Sequence, residues 1–169
     1  MRRMERRTMN PIARSVLYAL VWIALFLVCF PWLIYLAGES PQFQGVWETI
    51  RQFCGGILFA VGLLLSLMCV GLLAVQGKGT PAPIDPPQRF VPSGPYRWTR
   101  NPMMLGGVLA SLGYALYFNS LALLIYAMFF WLGAHLFIVL YEERDLLRRF
   151  GEEYEQYRNR TPRWWPRLG

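Results

Sequence analysis

The chain has 169 residues, of which 55% are hydrophobic and 16% are charged, with 17 basic residues against 10 acidic ones. This length fits one domain, and the high apolar content excludes an intrinsically disordered chain. The three cysteines lie singly inside apolar runs, which excludes a disulfide scaffold and predicts no metal site. The formal net charge of +7 indicates an acidic partner, whose nature depends on where the basic residues lie.

Two uncharged apolar stretches in the first half of the chain predict membrane-spanning helices. Residues 15–37 and 53–75 each run for 23 residues without a charge, and a helix needs about 20 such residues to cross the hydrocarbon core. Arginines precede the first stretch, as in a signal peptide, but a signal core has only 7–15 apolar residues. We therefore expect an uncleaved anchor.

A third uncharged stretch, residues 101–141, is 41 residues long. As one helix it would reach about 60 Å, roughly twice the thickness of the hydrocarbon core. Asn119 and Ser120 are the polar pair near its middle, so we expect a hairpin of two spans, 102–118 and 121–141. The sequence predicts a single all-α domain over the whole chain, an integral membrane bundle of four transmembrane helices.

The basic residues lie on one side of this predicted bundle. Five precede the first span, four lie in the loop 76–101, seven follow the last span, and only Arg51 lies on the other side. The positive-inside rule makes the rich side cytoplasmic, with both termini there. Because arginines at the inner surface suit anionic lipid headgroups, we predict the lipid bilayer and not nucleic acid as the partner.

The cytoplasmic loop 76–101 is the predicted place for chemistry, because it is long and rich in proline. Its aromatic residues favour a lid packed over the inner face, and the alternative is a disordered linker. The loop begins with Gly77, Lys78 and Gly79. Backbone N–H groups of paired glycines beside a lysine suit a carboxylate or a phosphate, although such a pair also ends helices.

The fourth predicted span ends with polar residues that need an explanation. His135 and Glu142 share one helix face, about 10 Å apart along the axis. A histidine inside a span either makes an interhelical hydrogen bond or lines a wet cavity. Glu142 and Glu143 oppose both the helix dipole and the positive-inside trend, so a cationic or hydroxyl-rich group should face them. The candidate partners are Arg97, Arg100, Arg144 and a bound ligand.

The residues after the last span predict an amphipathic helix over 145–158, with apolar side chains at helical spacing. This helix could anchor the chain at the membrane surface or form one wall of a cytosolic pocket.

An ordered series of short motifs extends over residues 76–165. The series consists of Gly77-Lys78-Gly79-Thr80-Pro81-Ala82-Pro83, Gly94-Pro95-Tyr96-Arg97, Arg100-Asn101-Pro102-Met103, Tyr141-Glu142-Glu143, Phe150-Gly151 and Pro162-Arg163-Trp164. In this order and topology the chain resembles the integral-membrane methyltransferases typified by isoprenylcysteine carboxyl methyltransferase and the related phospholipid N-methyltransferases.

The resemblance implies S-adenosylmethionine as methyl donor, bound in a cytoplasmic pocket formed by the loop, the last span and the C-terminal helix. It also implies a lipophilic or amphiphilic acceptor, such as a membrane lipid. Together with the residues' own chemistry, it makes Arg100 and Glu142 the predicted catalytic residues. The predicted donor-binding residues are Gly77, Lys78, Gly79, Tyr96, Arg97, Asn101, Pro102, His135, Glu142 and Glu143.

The family signature is Arg-His-Pro-x-Tyr followed, beyond a helical hairpin, by Glu-Glu. Asn101 stands where histidine is typical and Met104 where tyrosine is typical. These departures indicate a bacterial-type branch whose acceptor differs from that of the named enzymes.

The donor's functional groups agree with the predicted site. Its ammonium and ribose hydroxyls suit Glu142 and Glu143, whereas its carboxylate suits Arg97 or the glycine turn. Arg100 could steer a thiolate or carboxylate acceptor, and Glu142 could deprotonate an amine. The alternative function is a non-catalytic membrane scaffold or lipid-binding protein of the same fold. A reductase is disfavoured because the sterol reductases that resemble this family have many more spans, and a transporter because the chain lacks a polar conduction path.

Overall fold

The computed structural model describes residues 10–38, 45–82 and 86–165, and within these ranges the regular elements are all helical. The all-α prediction is confirmed for the described residues. The helices are α1 (Pro11–Trp22), α2 (Phe30–Ala37), α3 (Val46–Val75), α4 (Pro102–Phe118), α5 (Leu121–Phe137) and α6 (Glu143–Arg160). Two π-helical stretches, Ile23–Cys29 and Ile138–Glu142, join α1 to α2 and α5 to α6, and Gly94–Arg97 forms a 3-10 turn.

Three of the described helical stretches are long and apolar enough to cross a membrane. They are Ile12–Ala37, Val46–Val75 and Leu121–Arg160, the last including the charged α6. The shorter apolar helix, Pro102–Phe118, has 17 residues and would rise about 26 Å against a core of about 30 Å. The chain is therefore an integral membrane protein, and the fourth span stays a prediction.

The predicted hairpin turn lies where the polar pair places it. Asn119 ends α4 in the left-handed conformation, with φ of 51°, which asparagine tolerates better than most residues. The Ser120 hydroxyl accepts a hydrogen bond from the Leu123 N–H and so caps α5. This turn makes α4 and α5 antiparallel neighbours.

Glycines bring α3 and α4 into backbone contact. A methyl group on Gly62 would lie 2.4 Å from the Gly106 carbonyl oxygen, and one on Gly55 would lie 2.6 Å from the Tyr117 nitrogen. Small residues at such positions let membrane helices pack closely where no hydrophobic effect drives them together. At the same end of this pair as Gly55, the Arg51 guanidinium donates to the Leu116 and Tyr117 carbonyls, the last ones of α4, which gives this basic residue a structural partner.

The described parts of the loop 76–101 fold back onto the end of α3. The Gly77 carbonyl accepts hydrogen bonds from the N–H groups of Gln88 and Arg89, at 2.8 and 3.1 Å. A methyl group on Gly79 would lie 2.6 Å from the Pro86 carbonyl oxygen. The two glycines therefore allow close packing within the loop.

The helix α6 bends sharply at one glycine. Gly151 has φ of 52° and ψ of −126°, a combination that a residue with a side chain adopts only under strain. Beyond the bend, Tyr154 is fully buried against the loop. The bend thus directs the end of α6 toward the site described next.

Candidate functional site

A cleft lies where the loop meets the junction of α5 and α6. It contains five of the residues that the sequence predicts for the site. These are Tyr96, Arg100, Asn101, Glu142 and Glu143. They come from the 3-10 turn, the start of α4 and the junction of the second π-helical stretch with α6, so the structure brings together groups separated by more than 40 residues.

The other predicted residues do not line this cleft. Gly77 and Gly79 are buried within the loop, Lys78 and Arg97 are exposed, and Pro102 is buried in the first turn of α4. His135 lies deeper in the bundle, where its Nδ1 accepts a hydrogen bond from Trp164 Nε1 at 3.0 Å. Their contact with a donor stays a prediction.

Glu142 presents an unpartnered carboxylate oxygen. Its Oε2 atom is buried and has no hydrogen-bond partner among the described residues. Burial first, and then the charges of Glu143 and Asp145, raise the pKa of Glu142 to about 7. A buried polar atom without a partner is costly, and such groups are common where a ligand or a proton is handled.

Glu143, the next residue, has the opposite environment. Arg163 binds it in a bidentate manner, with Nε and Nη2 at 2.7 and 2.9 Å from the two carboxylate oxygens. Arg100 Nη1 lies 3.0 Å from Oε1. Burial alone would raise the pKa of Glu143, but the hydrogen bond from Arg163 and the charges of both arginines outweigh it and lower this pKa. Glu143 is therefore a stable anion whose role is to hold cations.

Four aromatic rings line the same cleft as the two carboxylates. The Phe90 ring centroid lies 5.5, 5.9 and 5.0 Å from those of Phe150, Tyr154 and Tyr157. The Tyr157 hydroxyl donates to the Tyr96 carbonyl at 2.7 Å, and burial raises the pKa of Tyr157, so its phenol stays neutral. Aromatic faces beside a carboxylate suit a planar base or an organic cation.

Sequence reasoning did not place these aromatic residues, or Arg163, in the site. The spacing of Phe150, Tyr154 and Tyr157 predicted a helix face, and that face is the one that lines the cleft. The sequence predicted Phe90 only as one of the loop residues that pack as a lid over the inner face.

A second, apolar groove lies among α1, the first π-helical stretch, α3, α4 and the end of α5. Its walls include Trp22, Phe26, Leu67, Val70, Met103 and Met104. A small cavity adjoins both groove and cleft, since its lining includes Phe137 from the groove and Glu142 from the cleft. Glu142 thus lines both the cleft and the small cavity that adjoins the apolar groove.

No group of three or more histidine, cysteine or acidic side chains capable of holding a metal ion occurs within residues 10–38, 45–82 and 86–165.

Comparison with known proteins identifies the family. Residues 50–153, more than half of the chain, match the family model of phospholipid methyltransferases. A comparison with curated proteins gave no match. The matched region extends from α3 into α6 and contains the cleft residues from Phe90 to Phe150. The resemblance seen in the sequence motifs is confirmed: the chain belongs to the phospholipid methyltransferase family.

Proposed function

We propose that this membrane methyltransferase binds S-adenosylmethionine in the cleft and methylates a lipophilic or amphiphilic acceptor that approaches from the bilayer. The observation that carries this proposal is the unpartnered Glu142 oxygen, on a residue that lines both the aromatic cleft and the small cavity adjoining the apolar groove. A carboxylate left unpaired beside both a polar and an apolar cavity suits a reaction between a water-soluble donor and a lipid-soluble acceptor.

The chemistry of the cleft fits this donor. Glu142 can accept hydrogen bonds from an ammonium group or from ribose hydroxyls, and Arg100 can bind a carboxylate. Arg100 Nε is buried without a hydrogen-bond partner in the described part of the chain, so it retains a donor for such a ligand. The rings of Phe90 and Tyr157 offer faces for an adenine or a sulfonium.

Bound S-adenosylmethionine supplies an electrophilic methyl group on a positively charged sulfur. The protein's own contribution is to align donor and acceptor, to exclude water and to manage the acceptor's proton. Glu142, with its pKa near 7, is suited to remove a proton from an amine at neutral pH. A carboxylate or thiolate acceptor would need only the positive charge of Arg100 to orient it.

The apolar groove supports a lipophilic acceptor. Its lining is almost wholly apolar, with Ser66 as a polar exception whose hydroxyl donates to the Met103 carbonyl at 3.0 Å. An acyl or prenyl chain in this groove would bring an attached headgroup to the small cavity beside Glu142. A lipid screen would determine whether oxygen, nitrogen or sulfur is the reacting atom of the acceptor.

Calorimetric titration of S-adenosylmethionine into detergent-purified protein tests the proposal. We expect saturable binding by the wild type and by Glu152→Gln, an exposed carboxylate on the same helix, and much weaker binding by Glu142→Gln and Arg100→Ala. A methylation screen on lipid extracts would then identify the acceptor. Absence of binding by folded wild type would refute the donor assignment and favour a non-catalytic scaffold or lipid-binding protein of the same fold.

A further inference from the structure

The chain beyond α6 returns to the start of α4 and is tied to it by three hydrogen bonds. The Arg100 N–H donates to the Pro162 carbonyl at 2.9 Å. The Thr99 hydroxyl and the Asn101 side-chain amide both donate to the Arg163 carbonyl, at 2.9 and 3.0 Å. These bonds connect residues more than 60 positions apart, so they fix a tertiary contact and not a local turn.

Side chains of the same segment, residues 161–165, hold α5 and α6. Arg163 binds both oxygens of Glu143. Trp164 is buried, packs in one cluster with Ala134 and Ile138, and donates its indole N–H to His135. The segment therefore contacts the start of α4, the end of α5 and the start of α6, and we call residues 161–165 the C-terminal clasp.

The clasp determines what Arg100 can do. Glu143 and Arg100 are both largely buried, with side chains 12% and 11% exposed. Arg163 binds both Glu143 oxygens, and Arg100 contacts Oε1 alone, through Nη1 at 3.0 Å. Without Arg163, the freed carboxylate could bind the Arg100 guanidinium with both oxygens. Arg100 would then be drawn away from a ligand in the cleft.

We propose that Arg163 is a positioning residue, which holds Glu143 so that Arg100 stays directed at the cleft, and that Asn101 locks the clasp in place. This inference rests on the proposed function, since it takes Arg100 to bind the donor carboxylate. The clasp lies outside the region 50–153 that matches the family model, so this chain completes its site with residues beyond the matched region.

The clasp itself is tested without donor, by amide hydrogen exchange in detergent. We expect the exchange rate of the Arg100 N–H to rise at least about tenfold in Arg163→Gln and in Asn101→Ala. In both variants the hydrogen bond from this N–H to the Pro162 carbonyl should open more often. Arg160→Gln is the matched control, because Arg160 is exposed three residues away. Unchanged protection at Arg100 in both variants would overturn the clasp.

The positioning role is tested by a double-mutant cycle on donor affinity, measured by calorimetry. Arg163→Gln and Glu143→Gln should each weaken S-adenosylmethionine binding about tenfold, and the double variant should bind no more weakly than Glu143→Gln alone. Arg163→Lys keeps the positive charge but loses the two-point contact with Glu143, so its donor affinity should lie between those of wild type and Arg163→Gln. Additive losses in the double variant would overturn the role, because a general structural effect of Arg163 would not depend on Glu143.

Donor binding by the wild type and by Arg163→Gln distinguishes failure of the positioning role from failure of the proposed function. If the wild type binds donor and Arg163→Gln binds it equally well, the positioning role alone is overturned. If the folded wild type binds no donor, the proposed function is overturned and the positioning role with it.

Discussion

Replacing Glu142 with glutamine should stabilise the protein above neutral pH and weaken donor binding at the same time. The folded protein keeps the Glu142 proton up to about pH 7, whereas the unfolded chain releases it near 4.5. Between these values the folded state binds more protons than the unfolded state, so the free energy of unfolding falls as pH rises. This loss of stability with rising pH is caused by the burial of an unpartnered carboxylate beside two other acidic groups.

The size of the effect follows from the two pKa values. The interval from 4.5 to about 7 corresponds to about 3 kcal/mol, at about 1.36 kcal/mol for each pH unit. Glu142→Gln carries no ionisable group there, so at pH 8 it should be more stable than wild type by up to that amount. At pH 4.5 the two proteins should unfold with nearly equal free energies.

Chemical denaturation in detergent at pH values from 4.5 to 8.5 measures this difference directly. Glu152→Gln, on the exposed face of the same helix, is the control and should follow the wild type throughout. A constant difference between wild type and Glu142→Gln across this range would refute the reasoning, since it would show that Glu142 does not change its protonation on folding. A rise in stability together with lost donor affinity is typical of a functional residue held at a cost to the fold.

Three further predictions concern the scaffold and use the same unfolding measurement. Gly62→Ala should lower the free energy of unfolding by about 1–3 kcal/mol, because its methyl group would meet the α4 backbone at 2.4 Å. Gly56→Ala, with nothing within 4 Å, should raise it by up to about 1 kcal/mol, and equal effects of the two would contradict the backbone contact. Arg51→Ala should lower the free energy of unfolding by about 1 kcal/mol, because the hydrogen bonds to the end of α4 are lost. An unchanged free energy of unfolding would argue against a stabilising role for these bonds. Gly151→Ala should cost about 1–3 kcal/mol because of its backbone angles, whereas Gly133→Ala, in a regular and open part of α5, should be neutral or stabilising. A stabilised Gly151→Ala would mean that α6 is straight.

The membrane helices were predictable because the bilayer imposes a simple rule on the sequence. A charge-free run of 23 residues, such as 53–75, leaves little choice about its structure. Helix ends were less predictable, since α3 begins at Val46, before the uncharged run. Glu48 and Arg51 lie in its first turns, where Glu48 accepts a hydrogen bond from Gln52 and Arg51 donates to the end of α4, so charged residues are accommodated within the helix.

The partner of Glu143 could be predicted only by type. A carboxylate at the end of a span requires a cation, and the sequence offered Arg97, Arg100 and Arg144. The structure selects Arg100 and adds Arg163 from the clasp. No local periodicity links residues 143 and 163, because their contact depends on where the chain turns after α6. The same holds for the packing role of Gly77, which depends on the path of the loop residues beyond it.

Two adjacent glutamates acquire different chemistry from helix geometry alone. Consecutive side chains on a helix point about 100° apart, so Glu142 and Glu143 cannot both face the same partner. The π-helical stretch ends at Glu142, and such stretches change the register of a helix by one residue, frequently at functional sites. With Glu143 engaged by the clasp, Glu142 is left facing the cleft and the small cavity beside it, and no described side chain neutralises it. Arg100 and Arg163 both bind Glu143, and Arg149, which lines the same small cavity as Glu142, pairs with Asp145. That three arginines lie close by and none of them pairs with Glu142 argues that its unpaired state is maintained for a ligand.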